Sequence, residues 1–181
     1  MNCENYSEKA KTENADSQLL YVNFNQDYSC LAAGTSKGFA IYNCDPFGLC
    51  YERLEEDSGE SGGIGMCEML FTSSLVAIVG TGGMGTLAKP PTQSPITDPS
   101  PSGQPESSHL SSQTLSPRKL HVINTKRQTV VCELSFPTKI LAILMNRKRL
   151  VIVLESKLHI YDLSTMKIVH TIDIPSNPNG K

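Results

Sequence analysis

The sequence predicts an all-β chain, about three four-stranded blades of a β-propeller, and three observations carry that prediction. One pattern recurs: Leu31, Leu75 and Leu150 each open a short apolar run after a polar turn (Leu31-Ala32-Ala33-Gly34, Leu75-Val76-Ala77-Ile78, Leu150-Val151-Ile152-Val153). Eight residues after Leu31 and Leu150, Phe39 and Leu158 begin an alternating strand that ends in Tyr42-Asn43 and Tyr161-Asp162. In the middle copy the same strand, Leu120 to Asn124, comes 45 residues after Leu75, an insertion of 37. With the insertion removed, the copies lie 44 and 38 residues apart. A period near 40 that holds four short strands characterises a propeller blade. Finally, no stretch keeps a helical period, whereas Leu158 and Ile160 alternate with His159 and Tyr161 as a two-faced strand does.

The elements follow in order. Residues 1–18, rich in Glu, Lys, Asn and Ser, read as a disordered tail. Blade one covers residues 19–54, with strands at Tyr21-Phe24, Cys30-Gly34, Phe39-Asn43 and a weaker one around Leu49-Tyr51. Its turns, Asn25-Gln26-Asp27 and Thr35-Ser36-Lys37-Gly38, hold residues that tight hairpins need. An acidic, glycine-rich linker, 55–63, leads to blade two at 64–136, with strands at Met66-Phe71, Leu75-Val79, Leu120-Asn124 and Thr129-Phe136. Blade three, 140–174, has strands at Ile140-Met145, Leu150-Leu154, Leu158-Asp162 and Lys167-Ile172; residues 175–181 start a connection to a further blade. Residues 80–118 hold seven of the eleven prolines and eight serines. Such a segment cannot bury enough surface to offset its ordering entropy, so a disordered loop is expected in the hairpin of blade two. A hairpin tolerates it because closure entropy grows slowly with loop length.

Composition narrows function. At 181 residues, 39% hydrophobic and a net charge of -2, the chain reads as an ordinary soluble domain with no electrostatic case for nucleic acid. No signal-peptide core and no membrane-spanning run is visible, so a cytosolic location is expected. The six cysteines, Cys3, Cys30, Cys44, Cys50, Cys67 and Cys132, form no Cys-x-x-Cys pair and are expected to be reduced, structural residues.

Gly80-Thr81-Gly82-Gly83-Met84-Gly85 matches the dinucleotide-binding pattern, yet Thr86-Leu87-Ala88-Lys89-Pro90-Pro91 cannot start the helix that would hold a pyrophosphate. His121 and His159 fill one repeat position, where blade one has Ala40; His170 lies in a last strand and His109 in the loop. No metal-ligand spacing or nucleophile elbow appears, so neither a cofactor nor an enzyme is expected. Basic residues gather at turns: Asn146-Arg147-Lys148-Arg149, Arg118-Lys119 and Lys126-Arg127. They are either simply solvated or a docking edge for an acidic partner, since Arg grips carboxylates and phosphates in bidentate fashion. Ser94, Ser100 and Ser116 each precede proline and are phosphorylation candidates; a phosphate on Ser116 would lie beside Arg118.

These residues resemble a known family. Phe24-Asn25-Gln26-Asp27, Gly34 to Phe39, Tyr42-Asn43-Cys44-Asp45-Pro46-Phe47, Glu68 to Gly80, Leu115-Ser116-Pro117-Arg118-Lys119-Leu120, Ile123 to Lys126 and Asn177-Pro178-Asn179-Gly180 are similar to the PROPPINs, the phosphoinositide-binding propellers of autophagy, and closest to their fungal members. The resemblance implies a seven-bladed, WD-repeat-type propeller without enzymatic activity. It implies binding of phosphatidylinositol 3-phosphate and phosphatidylinositol 3,5-bisphosphate, and a place on the phagophore assembly site, vacuole and endosome membranes. It implies partners among the autophagy machinery, notably a lipid-transfer protein docking at blades two and three. Pro117 and Arg118 match the family's Pro-Arg of blade two, and Arg147 and Arg149 match basic turn positions of the next blade. The family's lipid sites lie on later blades around Phe-Arg-Arg-Gly, and no Arg-Arg pair occurs here. The chain is therefore expected to be an N-terminal fragment: a lipid-binding function is implied only for a full-length form, and the alternative is a scaffold that binds protein alone through the basic turns.

Overall fold

A computed structural model describes residues 17–54, 62–82 and 115–178. These hold twelve strands and no helix. Blade one is β1 (Leu19–Phe24), β2 (Cys30–Thr35), β3 (Gly38–Cys44) and β4 (Phe47–Leu54). Blade two is β5 (Ile64–Met69), β6 (Leu75–Gly80), β7 (Lys119–Asn124) and β8 (Thr129–Ser135), and blade three is β9 (Ala142–Met145), β10 (Arg149–Val153), β11 (Lys157–Asp162) and β12 (Lys167–Asp173). Each set forms one antiparallel meander in chain order. The first strands lie side by side, with β5 touching both β1 and β9. The all-β, three-by-four propeller architecture expected from the repeat is what the chain adopts.

Short polar side chains close the hairpins. Asn146 Oδ1 accepts the backbone N–H groups of Lys148 and Arg149, both at 2.8 Å. Asn124 Oδ1 accepts those of Lys126 and Arg127 at 3.1 and 3.0 Å, and Asp162 Oδ1 those of Ser164 and Thr165. Asn124 and Asp162, which end the third strands of blades two and three, thus have a mechanical cause: each side chain accepts N–H groups of the turn that follows.

The sheets bury both faces of blade two. Val76, Ile78 and Ile123 join Ala32, Phe39, Ile41, Ile64 and Met69 in the core between blades one and two. Ala77, Val79, Leu120 and Val122 join Ile143, Met145, Leu150, Ile152 and Leu154 in the core between blades two and three. Period-2 alternation in β6 sends successive side chains to opposite neighbours.

Register corrects one detail of the repeat. Leu31 pairs with Tyr42 and Leu150 with Tyr161, but Leu75 lies opposite Asn124, and Val76 pairs with Ile123. Val76 is therefore the equivalent of the two leucines, because a slip of one residue would turn the strand inside out.

Residues 80–82 and 115–118, expected in the disordered loop, are ordered: Leu115 is buried in the core between blades one and two, and its carbonyl accepts the Gly82 N–H at 3.2 Å. Cys30, Cys44, Cys67 and Cys132 are free thiols, but Cys50 is disulfide-bonded, against the expectation of six reduced cysteines. Its burial in a strand, the basis of that expectation, does not exclude a bridge.

Candidate functional site

Strand polarity assigns every turn to one of two rims. The turns joining first to second and third to fourth strands lie on one rim; the connections from second to third strand, and from blade to blade, lie on the other. Arg147 and Arg149, at the β9–β10 turn, stand on the first rim; Pro117 and Arg118, preceding β7, stand on the second. The docking edge that groups these four residues in the sequence is thus two sites, separated by the length of a strand, roughly 15–20 Å. In an antiparallel meander, turns before the second and third strands of a blade must fall at opposite ends.

On the first rim, the Arg147 guanidinium carbon lies 4.6 Å above the Phe71 ring. Phe71, in the β5–β6 turn, has a positive φ of 49°. Its N–H donates to Gln26 Oε1 at 2.5 Å. The amide nitrogen of Gln26 donates to the Met69 carbonyl at 2.6 Å and to the Met145 carbonyl at 3.1 Å. A blade-one turn thereby ties down blades two and three, and the ring it holds supports Arg147. Stacking occupies one face of a guanidinium and leaves its N–H edge for a carboxylate or phosphate. Lys148 beside it, and Lys126 and Arg127 at the β7–β8 turn, are exposed on the same rim. Arg149 is different: its Nη1 donates to Asp162 Oδ2 at 2.8 Å. The Asp162 carboxyl is held below its ordinary range, first by the Ser164 hydroxyl.

On the second rim, Ser116 Oγ accepts the Arg118 N–H at 3.3 Å and the Ser116 carbonyl accepts the Lys119 N–H at 3.1 Å. The carbonyls of Pro117 and Arg118 accept Ile140 N–H and Phe136 N–H at 2.8 and 2.9 Å. This turn is pinned by its backbone, and the Arg118 side chain is exposed. Lys119 Nζ meets Glu133 Oε1 at 2.7 Å, a bond that keeps the Glu133 carboxyl below its usual range. Ser116 caps the turn through its hydroxyl; Ser94 and Ser100 lie outside the described residues.

Gly80 has a structural task rather than a nucleotide to hold: a Cβ there would stand 2.4 Å from the Leu115 carbonyl carbon. Among the described residues no three His, Cys, Asp or Glu side chains are grouped to hold a metal ion, and no helix is long and apolar enough to cross a membrane. Sequence reading missed Gln26 and Phe71. Nothing in a turn-forming Asn25-Gln26-Asp27 marks the middle residue as a bridge to two other blades.

Residues 106–181 match the PROPPIN family model. The chain is 44% identical over 162 residues to Autophagy-related protein 18 of Yarrowia lipolytica, covering 90% of this chain and 32% of that protein. It is 42% identical over 162 residues to Autophagy-related protein 18 of Saccharomyces cerevisiae, covering 90% of this chain and 26% of that protein. It thus spans about a third or less of the length of these relatives. Among solved structures, a complex of KlAtg21 with the coiled-coil of AgAtg16 is similar at 35% identity and TM-score 0.63, over 86% of this chain and 39% of that one. Hsv2 of Kluyvelomyces marxianus shares the fold at 16% identity and TM-score 0.62, over 90% of this chain and 42% of that one. The repeat, the three meanders and these likenesses agree in making the chain similar to the PROPPIN family.

Proposed function

We propose that this chain is a non-enzymatic adaptor of autophagy that docks acidic segments of partner proteins on its basic rims. The observation that carries the reading is Arg147, stacked on Phe71 with Lys148, Lys126 and Arg127 on the same rim. A preorganised guanidinium loses little entropy on meeting a carboxylate, and neighbouring cations steer an acidic partner toward it. Relatives named for autophagy, and a neighbour solved with a coiled-coil of AgAtg16, support a helical partner from the autophagy machinery. Pro117 and Arg118 on the opposite rim are a second docking point, suited to the family's lipid-transfer partner. Binding of phosphatidylinositol 3-phosphate and phosphatidylinositol 3,5-bisphosphate at vacuolar and phagophore membranes belongs, in this reading, to a full-length form.

The test is a pull-down of autophagy partners by the 181-residue chain and by Arg147→Ala and Arg118→Ala variants, with folding followed by circular dichroism. Each variant should lose a different partner while keeping its β-sheet signal. Retention of all partners by both variants would remove the docking role of the rims. Sedimentation with vesicles containing either phosphoinositide should leave this chain in the supernatant. Co-sedimentation would contradict the assignment of lipid binding to other blades.

A further inference from the structure

Sequence and geometry meet at Ser116. Of the three serines that precede proline, Ser94, Ser100 and Ser116, only Ser116 has a cation three residues on, in Ser116-Pro117-Arg118-Lys119. Proline-directed kinases select that spacing: one pocket accepts a residue without an N–H after the serine, and an acidic subsite takes the cation beyond it.

The fold supplies a place for the phosphate. Ser116 is half-buried, and its Oγ already accepts the Arg118 N–H at 3.3 Å. The Arg118 side chain is exposed, and Lys139, also exposed, adjoins Ile140, whose N–H bonds the Pro117 carbonyl at 2.8 Å. Lys119 is engaged elsewhere, since its Nζ meets Glu133 Oε1 at 2.7 Å. Two exposed cations therefore flank the hydroxyl, alongside a backbone N–H already aimed at it. We propose that Ser116 is phosphorylated by a proline-directed kinase and that its phosphate, held by Arg118 and Lys139, withdraws Arg118 from acidic partners. The regulatory part rests on Arg118 being a docking point.

In the transfer, a bond forms from Ser116 Oγ to the γ-phosphorus of ATP, and the bond from that phosphorus to the β,γ-bridging oxygen breaks. ADP departs with the electron pair, and the hydroxyl proton passes to the general base of the kinase. Leu115 on one side is buried and Lys119 on the other begins β7, so the kinase takes the segment from a locally opened turn. Reclosure is then favoured, because a phosphate oxygen accepts the Arg118 N–H in a charge-assisted bond, about twice as strong as the neutral one it replaces. The group brings a charge of about −1.5 to −2, which the two cations offset, and the guanidinium edge of Arg118 is occupied.

The test treats the full 181-residue chain, carrying Ser94→Ala and Ser100→Ala so that one Ser-Pro site remains, with ATP and a cyclin-dependent kinase. Mass spectrometry should place a phosphate on Ser116. Its phosphorus-31 resonance should titrate at least about half a pH unit lower in the folded chain than in concentrated urea, because nearby cations favour the dianion. Arg118→Ala should remove most of that difference. A fluorescent hexaglutamate peptide reads the docking: phosphorylation should weaken its binding about threefold, as much as Arg118→Ala does alone, the size expected of an exposed ion pair. An unmodified Ser116, or a titration that is the same folded and unfolded or unmoved by Arg118→Ala, would overturn the proposal. So would peptide binding that phosphorylation leaves intact although Arg118→Ala weakens it. If Arg118→Ala itself leaves peptide binding unchanged, the docking role of Arg118 fails instead, and the phosphorus titration alone decides whether the phosphate site exists.

Discussion

Replacing Gln26 tests whether one side chain on a blade-one turn holds three blades together. Gln26→Ala removes the acceptor of the Phe71 N–H at 2.5 Å and the donor to the Met69 and Met145 carbonyls at 2.6 and 3.1 Å. A hydrogen bond contributes about 1 kcal/mol net, while a group left without a partner costs about 1–3 kcal/mol when buried. These backbone groups are partly buried, so water repairs some of the loss, and we expect about 2–4 kcal/mol in total from urea unfolding followed by circular dichroism. Gln26→Glu separates bonding from bulk. Its carboxylate can still accept the Phe71 N–H, but it turns an anionic oxygen toward two carbonyls. It should therefore destabilise more than alanine at neutral pH. The sign with pH is fixed: two facing carbonyls raise this carboxyl above its unfolded value, so stability should return as pH falls through the folded value and protonation restores a donor. A loss below about 0.5 kcal/mol for Gln26→Ala, or equal losses for both variants at every pH, would refute the bridging role, since surface substitutions fall within that range.

Other expectations follow from the same contacts. A double-mutant cycle on Phe71→Leu and Arg147→Ala should give a coupling of about 0.5–1 kcal/mol, the size of an exposed cation–π pair; additivity would mean the two side chains are merely adjacent. Glu68 is 7% exposed and accepts from Asn23 Nδ2 at 2.9 Å, and burial raises its carboxyl above the ordinary value. The folded state then holds that proton more tightly than the unfolded one, so the carboxylate costs stability as pH rises through the folded value. Glu68→Gln should match or exceed the wild type at pH 8, with the gap closing toward pH 4.5, in paired thermal melts. Gly80→Ala should destabilise by about 2 kcal/mol or more, because the new methyl meets Leu115 backbone rather than a movable side chain; an unchanged melt would show that the strand and Leu115 can part at little cost.

The sequence revealed what is periodic. The uninterrupted apolar run of β6 is written directly in its residues, because both faces of a middle strand must be apolar when blades lie on either side. Strand edges were legible too, since Asn124, Asn146 and Asp162 cap turns with their own side chains and few other residues can. Less was visible wherever a feature depended on a partner far along the chain. Val76 rather than Leu75 matches the leucines of the other blades, and only pairing with Ile123 reveals it. The tie from Gln26 to Met145 spans 119 residues, and a disulfide at Cys50 leaves no mark in its neighbours. That Arg118, Arg147 and Arg149 lie at turns was legible, but their separation to opposite rims is a consequence of strand direction and not of residue type.

That separation constrains how any adaptor built on this frame works. A partner segment lying on the Arg147 rim cannot reach Arg118 without running along a blade for roughly 15–20 Å. The blades expose no such path between neighbours, because Val76, Ile78, Ala77 and Val79 are all buried in the two inter-blade cores. Ligands docked as proposed, one on each rim, would therefore meet little steric conflict. They are not mechanically independent, however. Arg147 rests on Phe71, Phe71 is held by Gln26, and β5 beneath them packs in the same core as Leu115, which precedes the Pro117-Arg118 turn. A load on one rim reaches the other through blade two and, by the bond from Ile140 N–H to the Pro117 carbonyl, along β9 of blade three. Substitutions along either route should affect both rims together, whereas changes confined to the Arg147 or Arg118 side chain should affect one.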